Sequence, residues 1–134
     1  MRTPHWERRL VQVETEMRGV SWHYGIHDCV QSTLRVFAAL TGTDLRGLWN
    51  YGSRQAARRI LGRKTIADEA DRIAESLGLP QRPVELLHRG DPVLLRGIKT
   101  VALGWISSNG QIASAAQTGF DVVARSYGMR GWSV

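Results

Sequence analysis

Cysteine is almost absent from this sequence, because Cys29 is the only one among 134 residues. A single cysteine excludes an internal disulfide and is typical of a protein kept in a reducing compartment. Long apolar runs are also missing, so no segment offers the ~20 apolar residues that a transmembrane helix needs. The first residues, MRTPHWERRL, lack the apolar stretch of a signal peptide. We therefore predict a protein that is made in the cytosol and does not span a membrane.

Recognisable ligand sets for metals and phosphates are lacking too. The one cysteine and the four histidines have no paired spacing of the kind that zinc sites show. The aspartates are spread along the chain without a calcium-loop pattern, and no glycine-rich phosphate loop is present. We predict no metal site and no cofactor.

The formal net charge of +6 favours contact with anionic partners. The basic residues are scattered, and the densest cluster is Arg54, Arg58 and Arg59 on one predicted helix. No helix-turn-helix, zinc-finger or RNA-binding signature accompanies this cluster. We interpret it as a solvated basic face or as an interface with an acidic protein, and we do not expect a nucleic-acid partner. Nucleic-acid contact through this helix remains a third hypothesis.

Helical patterns fill the first part of the chain, residues 1–79. Each predicted helix has a capping residue at its start and glycine or threonine near its end. The predicted helices run from Thr3 to Gly19, from Asp28 to Thr41, from Ser53 to Gly62 and from Thr65 to Gly78. Pro4 follows the first cap, and Thr65 forms a capping box with Asp68.

Short strand patterns fill the last part, residues 91–134, in the segments PVLLR, TVALGWIS, QIASAA, FDVVAR and WSV. The dipeptide Asn109-Gly110 between two of them predicts a hairpin with a type I′ turn. Helices followed by an antiparallel meander indicate the α+β class. A chain of this length has room for one core, so we predict a single domain over residues 1–134.

Cys29 lies in the first turn of the second predicted helix, directly after the N-cap candidate Asp28. The amides and the positive end of a helix dipole favour a thiolate at this position, as in papain-like thiol hydrolases. Free cysteine also behaves as a small buried hydrophobe. Both interpretations of Cys29, nucleophile and packing residue, stay open from the residues alone.

The turn that leads to Cys29 resembles a known family. Its order, aromatic-x-aromatic-Gly-x-x-Asp-Cys, is formed here by Trp22, Tyr24, Gly25, Asp28 and Cys29. The later stretches TGTDL, YGSRQAARRILG, RGDPVLL and LGWISSNG, and the final aromatic Trp132, extend the likeness over nearly the whole chain. Together they are similar to the NlpC-type papain-like cysteine peptidases, above all to their phage and prophage tail-associated branch. The resemblance implies a papain-like fold with N-terminal helices and a small antiparallel sheet.

The resemblance breaks at the catalytic base. In active members a histidine begins the strand after Arg-Gly-Asp, and here that position is Ala102. No histidine follows His88. His88 and His27 are therefore the candidate bases, while a turn histidine bonded to backbone is the ordinary alternative for His27. Asp28 would support the site as a helix N-cap.

The resemblance implies a phage tail-tip or baseplate component in the virion, assembled in the bacterial cytoplasm with other tail proteins and lacking full catalytic machinery. The alternative is an active cysteine hydrolase of peptidoglycan, with Cys29 attacking an amide carbonyl and backbone amides holding the oxyanion. We expect Trp6, Trp22 and Trp105 in the core. Trp49 and Trp132, near loops or the chain end, and the arginines 54, 58 and 59 are the candidate interface residues.

Overall fold

The computed structural model describes residues 1–97 and 99–134. Within these residues four α-helices precede a six-stranded antiparallel sheet, so the predicted α+β class is confirmed. The helices are α1 (Trp6–Met17), α2 (Cys29–Thr41), α3 (Arg54–Leu61) and α4 (Ile66–Ser76). The strands are β1 (Gln81–Arg82), β2 (Pro92–Arg96), β3 (Val101–Ile106), β4 (Ile112–Ala115), β5 (Phe120–Val123) and β6 (Gly128–Trp132). Their order across the sheet is β1-β6-β2-β3-β4-β5.

Three of the four helices begin where their capping residues predict. Asp28 is the N-cap of α2, and its Oδ1 accepts from the Gln31 amide at 2.7 Å. Ser53 caps α3, and Thr65 with Asp68 forms the predicted capping box of α4. Each cap supplies acceptors to amides that the first helical turn leaves unpaired.

The predicted start of α1 is wrong. The helix begins at Trp6, and its N-cap is His5 with a φ of 62° and no side-chain cap. Thr3 is not free to cap α1, because its amide and its hydroxyl both donate to the Leu40 carbonyl, at 2.8 and 3.1 Å. The N-terminal segment is thus held against the last turn of α2.

Two details of the sheet differ from the sequence prediction. The two-residue strand β1 was not predicted, and it pairs with Gly131 and Trp132 of β6. The hairpin between β3 and β4 is not a type I′ turn, because that turn needs a positive φ at both central residues. Gly110 has a φ of 88°, whereas Asn109 does not have a positive φ. The geometry matches the three-residue loop that ends on a left-handed glycine.

The sheet is apolar on both faces. On the face that carries α1, α2 and α4, the buried residues include Leu94, Leu103, Trp105, Ala113 and Trp132. On the other face Val93, Leu95, Ile106 and Ile112 pack under a 3₁₀ turn at Val84–Leu86 and the following Leu87. Successive strand residues point to opposite faces. Because both faces of the sheet are covered, β2 and β3 are buried along much of their length. This places α2, with Cys29 at its start, directly against β3.

Candidate functional site

A cavity of about 120 Å³ lies where the N-terminal end of α2 meets β3, α3 and α4. We call it the Cys29 pocket. Its walls also include the turn that precedes α2 and the loop between α2 and α3. The residues that line it are Trp22, Tyr24, Asp28, Cys29, Val30, Leu34, Trp49, Tyr51, Ala57, Ile60, Leu61, Ile66, Glu69, Ala70, Ile73 and Leu103.

Gly25 determines the path of the turn into the pocket. It has a φ of 83°, a region that L side chains rarely adopt. A Cβ at this position would lie 1.8 Å from the Tyr51 carbonyl oxygen. Only glycine therefore allows the turn to pack against residue 51, and this contact brings the turn and the α2–α3 loop to one wall of the pocket.

Asp28 connects these two segments to α2. Asp28 is 3% exposed, and its carboxylate accepts three hydrogen bonds. The donors are the Gly25 amide at 2.8 Å, the Gln31 amide at 2.7 Å and the Tyr51 hydroxyl at 2.7 Å. Asp28 is thus the N-cap of α2, as predicted, and it also binds the preceding turn and the α2–α3 loop.

The Cys29 thiol stays protonated at neutral pH. Burial and, to a smaller extent, the adjacent Asp28 carboxylate raise its pKa from 9.0 to about 11. Backbone hydrogen bonds from Leu103, Val30 and Cys29 itself act in the opposite direction and are outweighed. The backbone at the start of α2 favours the thiolate, as expected, but desolvation and the neighbouring negative charge outweigh it.

Tyr51 cannot serve as the missing base. Its burial and its hydrogen bond to the Asp28 carboxylate raise the pKa of the phenol well above the ordinary value of 10.0. The hydroxyl therefore remains a donor to Asp28.

The sheet presents Leu103 to Cys29 rather than the predicted Ala102. Leu103 lines the pocket with Cys29, and its backbone lowers the pKa of the thiol. Ala102 packs on the opposite face, against the cluster that contains Val84 and Leu87. Neighbouring residues of a strand face opposite sides, so position 102 does not face the thiol.

His27 is bonded to backbone and is not among the residues that line the Cys29 pocket. It is buried, and its Nε2 lies 2.7 Å from the Gly119 carbonyl oxygen. A carbonyl can only accept, so the proton resides on Nε2 and the ring holds the turn against residue 119. The structure thus matches the ordinary alternative, a turn histidine bonded to backbone.

His88 lies near the C-terminal end of α2, whereas Cys29 is at the N-terminal end. It is exposed, two residues before Gly90, where a Cβ would lie 2.2 Å from Leu40 Cδ2. Leu40 is in the last turn of α2 and Cys29 in the first, so they are roughly 16 Å apart at ~1.5 Å per residue. The prediction of His88 as a candidate base is therefore wrong.

The residues that the structure describes hold no group of three or more histidine, cysteine, aspartate or glutamate side chains arranged for a metal ion. Within the same part of the chain, no helix is both long enough and apolar enough to cross a bilayer.

Comparison with known proteins gives a family for the whole chain. Residues 1–134 match the family described as Domain of unknown function (DUF6950). The chain belongs to this family. No curated protein matches the chain, and no solved structure matches it.

The candidate interface residues of this DUF6950 protein separate into three groups. Trp132 is 4% exposed and packs with Leu94 and Leu103, so the expectation that its ring meets a partner is wrong. Trp49 is half-buried and lines the Cys29 pocket. The arginines 54, 58 and 59 are exposed on α3, a helix of which no residue is buried.

The expected core position of the other tryptophans holds for Trp105, which is fully buried, whereas Trp6 and Trp22 are half-buried.

The aromatic lining has a signal in the sequence that the predicted site residues did not include. The tetrapeptide Trp-x-Tyr-Gly occurs twice, at residues 22–25 and 49–52. All four aromatic residues of the two copies line the Cys29 pocket. Glu69 also lines the pocket, but no sequence pattern predicts this. It is one of several acidic residues in α4, and nothing in the segment distinguishes it from the others.

Proposed function

We propose that this protein is a structural component of a bacteriophage tail, at its tip or baseplate, built on a papain-like fold of NlpC type that no longer hydrolyses its substrate. The observation that carries the proposal is the environment of Cys29. A thiol at the nucleophile's position faces a leucine, lies beside a carboxylate and has a pKa of about 11.

Thiol hydrolases need the opposite environment. Their cysteine has a lowered pKa because an imidazolium lies next to it, and the imidazole then returns the proton to the leaving group. Among the residues described here, none of the side chains that line the Cys29 pocket is a histidine. Attack by this cysteine would therefore lack both a nucleophilic thiolate and a general acid.

The position of Cys29 supports a common origin with such enzymes. A cysteine opens α2, α2 packs against the antiparallel strand β3, and the preceding turn has the Gly-x-x-Asp-Cys order of the tail-associated branch. Asp91 of the Arg-Gly-Asp stretch is 1% exposed and ties two chain ends together. The contacts of Asp91 stabilise the fold. A structural protein needs that stability even when it has no hydrolase activity.

The rate of Cys29 alkylation by iodoacetamide, measured against pH on the folded protein, tests whether Cys29 has lost its reactivity as a nucleophile. We expect slow reaction at neutral pH and a midpoint above pH ~10. Incubation with dye-labelled peptidoglycan provides the second readout, with Cys29→Ser as the matched control, and no release above the control is expected. A midpoint below pH 7, or release that Cys29→Ser abolishes, would establish the hydrolase alternative.

The location in the particle is tested separately. Phage particles from a lysate that carries the gene are separated into heads and tails, and each fraction is analysed by quantitative mass spectrometry. We expect peptides of this chain in the tail fraction, and unchanged infectivity when Cys29→Ala replaces the natural residue. Absence of the chain from tails would refute the proposed location, and loss of infectivity in assembled Cys29→Ala particles would refute the structural role.

A further inference from the structure

The Cys29 pocket has four aromatic walls. Trp22 and Tyr24 come from the turn before α2, and their rings meet edge to face at 84° with centroids 5.5 Å apart. Trp49 and Tyr51 come from the loop before α3, and the contact between Gly25 and the Tyr51 carbonyl joins the two segments. Several aromatic side chains around one small cavity are the composition that attracts organic cations, because the face of an aromatic ring carries partial negative charge.

The charged residues of the pocket have one sign. Asp28 and Glu69 line it, and of the lining residues in the described part of the chain none is lysine, arginine or histidine. This is not the average composition of the protein, which has 18 lysine and arginine residues against 12 aspartate and glutamate residues. A pocket with two carboxylates and no basic group is electrostatically complementary to a cation.

Asp28 is a buried carboxylate that no basic side chain pairs with in residues 1–97 and 99–134; its partners are two amides and the Tyr51 hydroxyl. The N-terminus of α2 supplies only about half of an opposing charge. Glu69 differs, because Arg72 and Lys64 bind its carboxylate at 2.9 and 3.5 Å. The negative charge left at the pocket is therefore mainly that of Asp28.

We propose that the Cys29 pocket binds a methylated or quaternary ammonium group, held between the two Trp-x-Tyr pairs and next to the Asp28 carboxylate. The size agrees, since the volume of about 120 Å³ is near that of an engineered cavity of ~150 Å³ that admits benzene. A trimethylammonium head is a compact apolar cation that needs no hydrogen bonds. The pocket offers apolar and aromatic surface for its methyl groups, and the buried Asp28 carboxylate behind that surface supplies the opposite charge.

Choline and its uncharged isostere 3,3-dimethyl-1-butanol distinguish this proposal from simple burial of apolar surface. Binding of each to the wild-type protein is followed by the indole NMR signals of the tryptophans. We expect choline to bind at least about tenfold more tightly than the isostere and to shift the signals of Trp22 and Trp49. Equal affinity, tighter binding of the isostere, or no binding of choline at 50-fold molar excess over a roughly millimolar protein sample would overturn the proposal.

Two tryptophan variants locate the site. Trp49→Leu removes one wall of the pocket, and we expect choline affinity to fall roughly 5- to 30-fold. Trp6→Leu is the matched control, because Trp6 is also half-buried but lies against Arg2 and Arg89, away from the pocket. Loss of affinity in Trp6→Leu alone would contradict the assignment. If Trp49→Leu does not fold, the comparison of choline with the isostere still decides.

The inference goes beyond the proposed tail function and does not depend on it. Choline binding is measured on the isolated protein, whereas the tail function is measured on particles. A protein that binds choline but is missing from tails, or one that assembles into tails but ignores choline, would separate the two proposals.

Discussion

The Tyr51 hydroxyl donates a hydrogen bond of 2.7 Å to Oδ2 of Asp28. Asp28 caps α2, and Tyr51 belongs to the loop that leads to α3, so this bond joins the start of the cysteine-bearing helix to a segment 23 residues later. The phenol stays a donor because its pKa is raised by burial and by the carboxylate. The loop that carries Trp49 is thereby fixed against the pocket.

Replacing Tyr51 with phenylalanine tests this connection. The ring is kept and one donor is lost, while the amides of Gly25 and Gln31 still bind the carboxylate. A hydrogen bond to a charged acceptor contributes ~1.5–3 kcal/mol, so we expect the free energy of unfolding to fall by about 2 kcal/mol. Urea denaturation measures it. Tyr127→Phe, at an exposed ring, is the control and should change stability by less than ~0.5 kcal/mol.

Two arginine–aspartate pairs with the same N–O distance of 2.7 Å differ in burial. Arg2 and Asp91 are 12% and 1% exposed, whereas Arg46 and Asp44 are 43% and 54% exposed. Asp91 also accepts from the amides of His88 and Val134. The buried pair therefore holds the two ends of the chain to the start of β2.

We expect Asp91→Ala to lower the free energy of unfolding by about 3–5 kcal/mol, because it leaves a largely buried guanidinium and two amides without their acceptor. Asp44→Ala removes an exposed pair and should cost less than ~1 kcal/mol. Chemical denaturation of both variants gives the comparison. Similar losses in the two variants would contradict the distinction between buried and exposed pairs.

Local chemistry made much of the fold predictable. The caps at Asp28, Ser53 and Thr65 depend on a side chain and an amide three residues later, so they can be identified from a short stretch of sequence. The start of α1 could not be identified in this way, because Thr3 donates to the carbonyl of Leu40, 37 residues away. Strand β1 pairs with Gly131 and Trp132, about 50 residues later in the chain. Neither this strand nor the burial of Trp132 can therefore be predicted from the neighbouring residues alone.

The candidate site was predictable only in part. Asp28 and Cys29 were identified from adjacent residues, and their geometry follows from one helix start. The partner on β3 was misassigned by one residue, and a shift of one residue in a strand turns the side chain to the other face. The thiol's raised pKa comes from burial by segments far apart in sequence, which no local pattern contains.

Gly25 and Gly47 offer a matched test of the turn that leads to Cys29. Alanine at position 25 would need a φ of 83° and would place its Cβ 1.8 Å from the Tyr51 carbonyl oxygen. Alanine at position 47 meets nothing within 4 Å. We expect Gly25→Ala to cost about 3 kcal/mol or more and Gly47→Ala to be neutral within ~1 kcal/mol, by thermal and urea denaturation. A mild effect at position 25 would show that the turn and loop are not in contact.

The raised pKa of Cys29 predicts how stability depends on alkaline pH. In the unfolded chain the thiol loses its proton near pH 9, whereas in the folded protein it keeps the proton until about pH 11. Between these values the unfolded state binds fewer protons, so stability decreases as pH rises. The contribution is fully present below pH 9 and is lost towards pH 11, and two pKa units correspond to at most about 2.7 kcal/mol.

Cys29→Ser separates this effect from that of Tyr51, whose raised pKa acts in the same direction. The hydroxyl of serine does not ionise in this range, so we expect the variant to lose less stability than wild type between pH 9 and 11. Urea midpoints at pH 7, 9, 10 and 11 give the difference. Parallel curves for the two proteins would mean that the thiol has an ordinary pKa in the folded state, and the alkylation rate should then increase near pH ~9 as well.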